Sequence, residues 1–196
     1  VIAQTLVFVL ETVFNLFTLA ALTRFYAQAF RAPFRNPLTE FVVALTDFAV
    51  KPLRKVLPGA FGLDWATIAT AWIAQVVLVC LESAVLKASA LAAPHFWPVV
   101  LVLALVLVLK LSLYLLIVVL IVQAIMSWFA RYHPAAPFLD ALTRPFLKPI
   151  RRFVPLVGGV DLSPLVLILF VQVLLMLPVA WLEVAVNRGV PRLFGM

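Results

Sequence analysis

The chain has 196 residues, of which 66% are hydrophobic and 12% charged, with a mean hydropathy of +1.18. A soluble domain would have nowhere to bury that much apolar surface, so the composition points to a membrane protein. Net charge is +7, but no aromatic-and-basic platform for nucleic acid goes with it, and a single cysteine, Cys80, excludes an intramolecular disulfide and a multi-cysteine metal site.

From Val1 to about Phe30 runs an apolar segment longer than the roughly 20 residues a spanning helix needs. It is too long for a signal-peptide core and ends without a small-residue cleavage site, so it reads as a retained helix. Glu11 sits among Val9, Leu10, Val13 and Phe14, where an ionised carboxylate needs protein, water or a partner. Arg24 is placed to snorkel to the headgroups along its own alkyl stem. After Arg35-Asn36-Pro37, the positions Phe41, Ala44, Leu45, Phe48 and Ala49 recur at three- and four-residue spacing. That spacing predicts an amphipathic helix, too short and too polar to span, lying in the interface plane. Lys51-Pro52 is expected to break it, with one further turn carrying Arg54 and Lys55 before Pro58-Gly59.

Asp64 is well placed to cap the second apolar run, Trp65 to about Leu86. Gln75 falls about 16 Å along that helix from Asp64, near the middle of the hydrocarbon, where an amide wants a partner. The connection from Glu82 and Lys87 to Pro94-His95-Phe96-Trp97-Pro98 suits the opposite interface. A third run, Val99 to Phe129, carries one charge, Lys110. Next comes a second amphipathic segment, with Phe138, Ala141, Leu142, Phe146 and Ile150 on its apolar side and Arg144, Lys148, Arg151 and Arg152 available to headgroups. Asp161-Leu162-Ser163-Pro164 opens the fourth run, which holds Gln172 and, near its end, Pro178, where a kink is expected.

An offset of 97 residues carries Lys51-Pro52-Leu53-Arg54-Lys55 onto Lys148-Pro149-Ile150-Arg151-Arg152. The same offset carries Pro37, Phe41, Gly62, Asp64 and Gln75 onto Pro134, Phe138, Gly159, Asp161 and Gln172. This is an internal repeat. The predicted architecture is an all-α membrane protein of four transmembrane helices arranged as two parallel repeats, each with a cytoplasmic interfacial amphipathic helix. Residues 1–82 form the first repeat, 83–98 an extracytoplasmic connection and 99–196 the second repeat. Eleven of the 15 basic residues lie in or near the two repeated loops, which places those loops inside and both termini outside. Two repeats of equal sense imply a pseudo-two-fold axis along the membrane normal, with Gln75 and Gln172 equidistant from it. The offset also sets Glu11 and Lys110 within about one helical turn of a common depth, and a static ion pair joining the repeats explains both charges.

Asn36-Pro37, Leu45-Thr46, Lys51-Pro52-Leu53-Arg54-Lys55, Pro58, Gly62 and Asp64 form a pattern, matched by Leu142-Thr143-Arg144-Pro145, Pro149-Ile150-Arg151-Arg152, Pro155 and Gly158-Gly159-Val160-Asp161. This pattern resembles the YggT family of bacterial inner-membrane proteins, which is similar to the YlmG-type proteins of cyanobacteria and plastids. The stretch from Lys110 to Trp128 looks like the third helix of its two-repeat members. In the first copy Asp47-Phe48 replaces the Arg-Pro or Glu-Pro usual after Leu-Thr, so no proline interrupts the helix there. The resemblance implies roles in biogenesis of membrane complexes and in division of the organelle or nucleoid, and for bacterial members an involvement in osmotic or potassium homeostasis.

Two functions follow as expectations. The first is a non-enzymatic scaffold or assembly factor that docks anionic lipids and partner proteins through Lys51, Arg54, Lys55, Arg144, Lys148, Arg151 and Arg152. Its partners would be other membrane proteins or further copies of the chain. The second is a small channel or transporter whose path is lined by the intramembrane polar residues Glu11, Gln75, Lys110 and Gln172. No HExxH, GxSxG or glycine-rich phosphate loop is present, and His95 and His133 fall on opposite sides of the membrane, so no catalytic site, cofactor or metal is expected.

Overall fold

The computed structural model describes residues 1–33, 36–59, 62–86, 95–129, 133–154 and 161–188. Arg35, Lys87, Pro94, Pro155, Gly158, Gly159 and Val160 lie outside them. The described residues form helices α1 (Ile2–Ala29), α2 (Pro37–Arg54), α3 (Trp65–Leu86), α4 (Phe96–Phe129), α5 (Ala136–Ile150), α6 (Ser163–Leu174) and α7 (Ala180–Arg188). A π-helical turn, Leu175–Val179, joins α6 to α7 and contains Pro178, so the expected distortion is a π-turn. Four spans result: α1, α3, most of α4, and the α6–α7 rod.

Small residues let α1 and α3 approach closely. Ala20, Ala21 and Thr18 on α1, and Ala66, Thr67, Thr70, Ala71 and Ala74 on α3, are all buried. The α3 residues make two small-x-x-x-small rows, the pattern that brings helix backbones together in lipid. α4 packs onto α3 through Val100 and Leu103 against Val79, with Phe96 fully buried at the end of that cluster. The α6–α7 rod is peripheral: α6 contacts the rest through Leu167 and Val171 against Leu120 of α4 and Leu147 of α5, and α7 through Val186, which packs on the α3–α4 cluster.

Both amphipathic helices sit at the same end of the bundle. Ala27 and Ala32, at the end of α1, share a cluster with Val119 of α4 and with Phe138, Leu139 and Leu142 of α5. Phe30 meets Phe146 edge-on at 5.8 Å between ring centroids. The two repeats therefore run in parallel, as the sequence requires. They differ in how deeply their amphipathic helices dock. α2 turns Thr39, Val42, Thr46 and Val50 toward the bundle and leaves Leu38, Phe41, Leu45 and Phe48 exposed for the lipid, whereas α5 buries Phe138 and Leu142 in protein.

The proline breaks do not occur. α2 continues through Pro52 to Arg54, and α5 continues through both Pro145 and Pro149 to Ile150. Pro52 and Pro149 each fall in the last turn, so each loses its own bond to the carbonyl four residues back but leaves little helix beyond it to disturb. Phe48 and Pro145, four residues earlier, are exposed, so the carbonyls that lose a donor can reach interfacial water. Asn36 caps α2 conventionally, accepting from the Thr39 backbone N–H at 2.9 Å.

Candidate functional site

The end of the bundle that carries α2 and α5 is held together by charges expected from the sequence to face the headgroups. Arg24, 5% exposed, does not snorkel. Its guanidinium donates to Thr46 Oγ1 at 2.8 Å, to Asp47 Oδ1 at 2.9 Å and to the Val43 carbonyl at 3.4 Å, fixing α2 to α1. Asp47 also accepts from Lys51 one turn on, at 2.8 Å. The Lys51 bond, followed by Arg24, outweighs partial burial and holds the Asp47 carboxyl below its ordinary range. The Asp47-Phe48 departure from the family pattern thereby acquires a reason, because the aspartate is the counter-ion of Arg24. In the second repeat the equivalent positions are Ile121 and Arg144, neither of which needs the other. There Thr143 donates to Gln123 of α4 in place of the Thr46 to Arg24 contact.

A second device occurs once in each repeat. Arg54 bonds Asp64 through Nε and Nη2, and Arg151 bonds Asp161 through Nε at 2.9 Å. The offset relates both partners, so each repeat ties the end of its amphipathic helix to the start of the following span. Gly62, with φ +78°, supplies the left-handed turn between Arg54 and Asp64. Asp64 also accepts from the Thr67 hydroxyl at 2.6 Å, and Asp161 accepts from the Ser163 backbone N–H at 2.9 Å. Burial pushes the Asp64 carboxyl upward, but the Arg54 and Thr67 hydrogen bonds together prevail and lower it, and the hydrogen bond to Asp64 raises the Arg54 guanidinium in return. Asp161 is lowered in the same way: burial opposes, while Ser163 and Arg151 win. The recurrence of an arginine and an aspartate ten residues apart in both copies was a signal available in the sequence.

Of the seven basic docking candidates, Lys51, Arg54, Arg144 and Arg151 each have an acidic partner, Arg144 with Asp140 at 3.8 Å. Lys55, Lys148 and Arg152 are exposed and have no ion pair among the described residues. Lys55 and Arg152 are repeat equivalents. Beside them Val56 and Phe153 are strongly exposed.

The intramembrane polar residues are not brought together. Lys110 donates to Glu183 of α7 at 2.8 and 3.1 Å, which corrects the expected pair with Glu11. Equal depth does not fix the direction in which a side chain points, and α4 turns Lys110 toward the last span. Glu11 instead lies near Glu82 of α3, a like charge. That placement agrees with the antiparallel register in which Gln75 meets Asn15 and Thr18.

Gln75, 1% exposed, donates to Asn15 Oδ1 at 3.1 Å and to Thr18 Oγ1 at 2.9 Å. Gln172 lies exposed on α6, so the two glutamines sit in different surroundings. The positions equivalent to Asn15 and Thr18 are Ser112 and Leu115, and α6 does not pack on α4 as α3 packs on α1. Gln75→Leu should cost about 0.6 to 1.7 kcal/mol. Gln172→Leu should leave the unfolding of a detergent monomer unchanged, and denaturant titration of both variants measures the contrast.

These features define a class: a multi-pass membrane protein of two tandem, parallel helical repeats, each with its own interfacial helix pinned by an arginine–aspartate pair. The CCB3/YggT family model matches residues 3–85 and 102–182, in two segments that follow the repeats. The chain belongs to the CCB3/YggT family. It is 34% identical over 192 residues to the uncharacterized protein YggT of Escherichia coli strain K12, covering 97% of this chain and 98% of that one. An uncharacterized protein of Pseudomonas aeruginosa is 33% identical over 188 residues, covering 95% and 93%. One of Vibrio alginolyticus is 33% identical over 167 residues, covering 84% and 88%. No solved structure matches the chain.

Proposed function

We propose that the protein is a non-enzymatic scaffold or assembly factor of a bacterial inner membrane, with α2 and α5 resting on the cytoplasmic leaflet. There they hold anionic lipids and partner membrane proteins. The observation that carries this reading is the pair of co-facing amphipathic helices, whose Lys55, Lys148 and Arg152 are exposed beside apolar side chains and unclaimed by acids among the described residues. Orientation rests on the positive-inside distribution, and the bacterial membrane on the relatives.

The channel reading has less support. Gln75 is occupied by Asn15 and Thr18, Lys110 is occupied by Glu183, and Gln172 faces outward. The cavity of about 130 Å³ between α1, α4 and α5 is lined almost wholly by apolar groups such as Phe30, Leu115, Val119 and Phe146. A hydrated path needs more polar lining than that.

Reversing Lys55, Lys148 and Arg152 to glutamate spares the Arg54 and Arg151 ties, so the fold is left intact. Each charge near the surface is worth about 1 kcal/mol, or roughly fivefold, in attraction to anionic lipid. Native mass spectrometry of protein released from nanodiscs should show anionic lipid depleted and co-purifying proteins lost in the triple variant. Unchanged recovery of both would refute the docking function.

A further inference from the structure

Gln172 stands about 14 Å along the helix from Ser163, close to the middle of a hydrocarbon layer roughly 30 Å thick. It is exposed there and has no side-chain hydrogen bond among the described residues. An amide left without a partner in hydrocarbon is costly, so this position calls for one. The first repeat shows what such a glutamine does when it is covered. Ile68, Trp72, Gln75 and Val79 of α3, the equivalents of Leu165, Leu169, Gln172 and Met176, are partly or fully buried against α1 and α4. In the second repeat the same four-residue stripe is open, with Leu165, Leu169 and Met176 all more than half exposed. It lies on the exposed side of α6, next to Ile168 and Leu175, which with Leu167 and Val171 join α6 to the bundle.

We propose that this stripe is a homodimer seam, in which α6 packs against α6 of a second copy and the two Gln172 amides hydrogen-bond to each other. The 4-3-4 spacing of Leu165, Leu169, Gln172 and Met176 is that of a helix–helix seam, with one polar position fixing register. Copies inserted with one orientation relate by a two-fold along the membrane normal, which sets every residue opposite its own twin at equal depth. An amide carries both donors and an acceptor, so Gln172 satisfies Gln172 without a further partner. A different protein would need a matching polar group at that same depth, and no charge on the stripe selects one. The seam uses the exposed side of α6 and does not depend on what the basic helices dock.

The test uses the full chain with Cys80→Ala, in native membranes. Single cysteines replace Leu165, Leu169, Gln172 and Met176 on the stripe and Phe170 off it, where the helix is equally exposed. Oxidation should crosslink the four stripe variants to dimers and leave Phe170→Cys monomeric. In proteoliposomes carrying donor- and acceptor-labelled protein, Gln172→Leu should weaken association between about threefold and twentyfold, and Gln172→Asn should recover part of it. Equal crosslinking at Phe170, no crosslinking along the stripe, or an undiminished energy-transfer signal in Gln172→Leu would each overturn the seam. Loss of lipid retention in the triple basic variant, with the crosslinks intact, would leave it standing.

Discussion

Replacing Asp47 with arginine should destabilise the protein by about 3 kcal/mol or more, because it strands the buried Arg24 guanidinium and sets a second positive charge beside it. The informative variant is the double one. Arg24→Ile with Asp47→Arg reproduces the residues found at the equivalent positions of the second repeat, Ile121 and Arg144. An isoleucine on α1 needs no counter-ion, and an arginine at position 47 can stay exposed as Arg144 does. The double variant should therefore recover most of the loss, with a coupling of about 2 kcal/mol between the sites. Unfolding midpoints in a mixed-micelle titration of the four corners of the cycle measure that coupling. Additive losses would mean that Arg24 and Asp47 stabilise the α1–α2 contact independently, and that the exchange between repeats is incidental.

The parts of this structure that depend on periodicity and on translation along the chain were legible beforehand. Four spans, two interfacial helices and their common end of the bundle follow from apolar run lengths and from an offset that repeats without a gap. Side-chain direction was not legible, because a single offset gives depth and says nothing of rotation about each helix axis. Lys110 was thus assigned to Glu11 when its partner is Glu183, and Gln172 was taken as the twin of Gln75 when only Gln75 is enclosed. The prolines misled for another reason. Pro52, Pro145 and Pro149 would end an isolated helix, but docking of one face on the bundle holds α2 and α5 together beyond them. The charges misled most. Arg24, Arg54 and Arg151 read as headgroup contacts because arginine at an interface commonly is one, yet each has an aspartate within 23 residues that claims it.

The two arginine–aspartate ties are repeat equivalents but should not be energetic equivalents. Asp64 is 3% exposed and holds Arg54 and Thr67, whereas the Asp161 and Arg151 side chains are both about a third or more exposed. Asp64→Ala should cost about 2 to 3 kcal/mol, since it leaves a half-buried guanidinium and a buried hydroxyl without their acceptor. Asp161→Ala should cost about 0.5 kcal/mol, the scale of a solvated pair. Acid supplies a check that needs no mutation. The folded Asp64 carboxyl lies below its ordinary value of 3.8, so its contribution is fully present above that value and fades as pH falls through the lower folded value. The gap in unfolding midpoint between the native chain and Asp64→Ala should be flat from neutral pH down to about pH 4 and then close. A gap that persisted unchanged to pH 2 would assign the loss to packing around Asp64, and the tie between α2 and α3 would be steric, with its charge irrelevant.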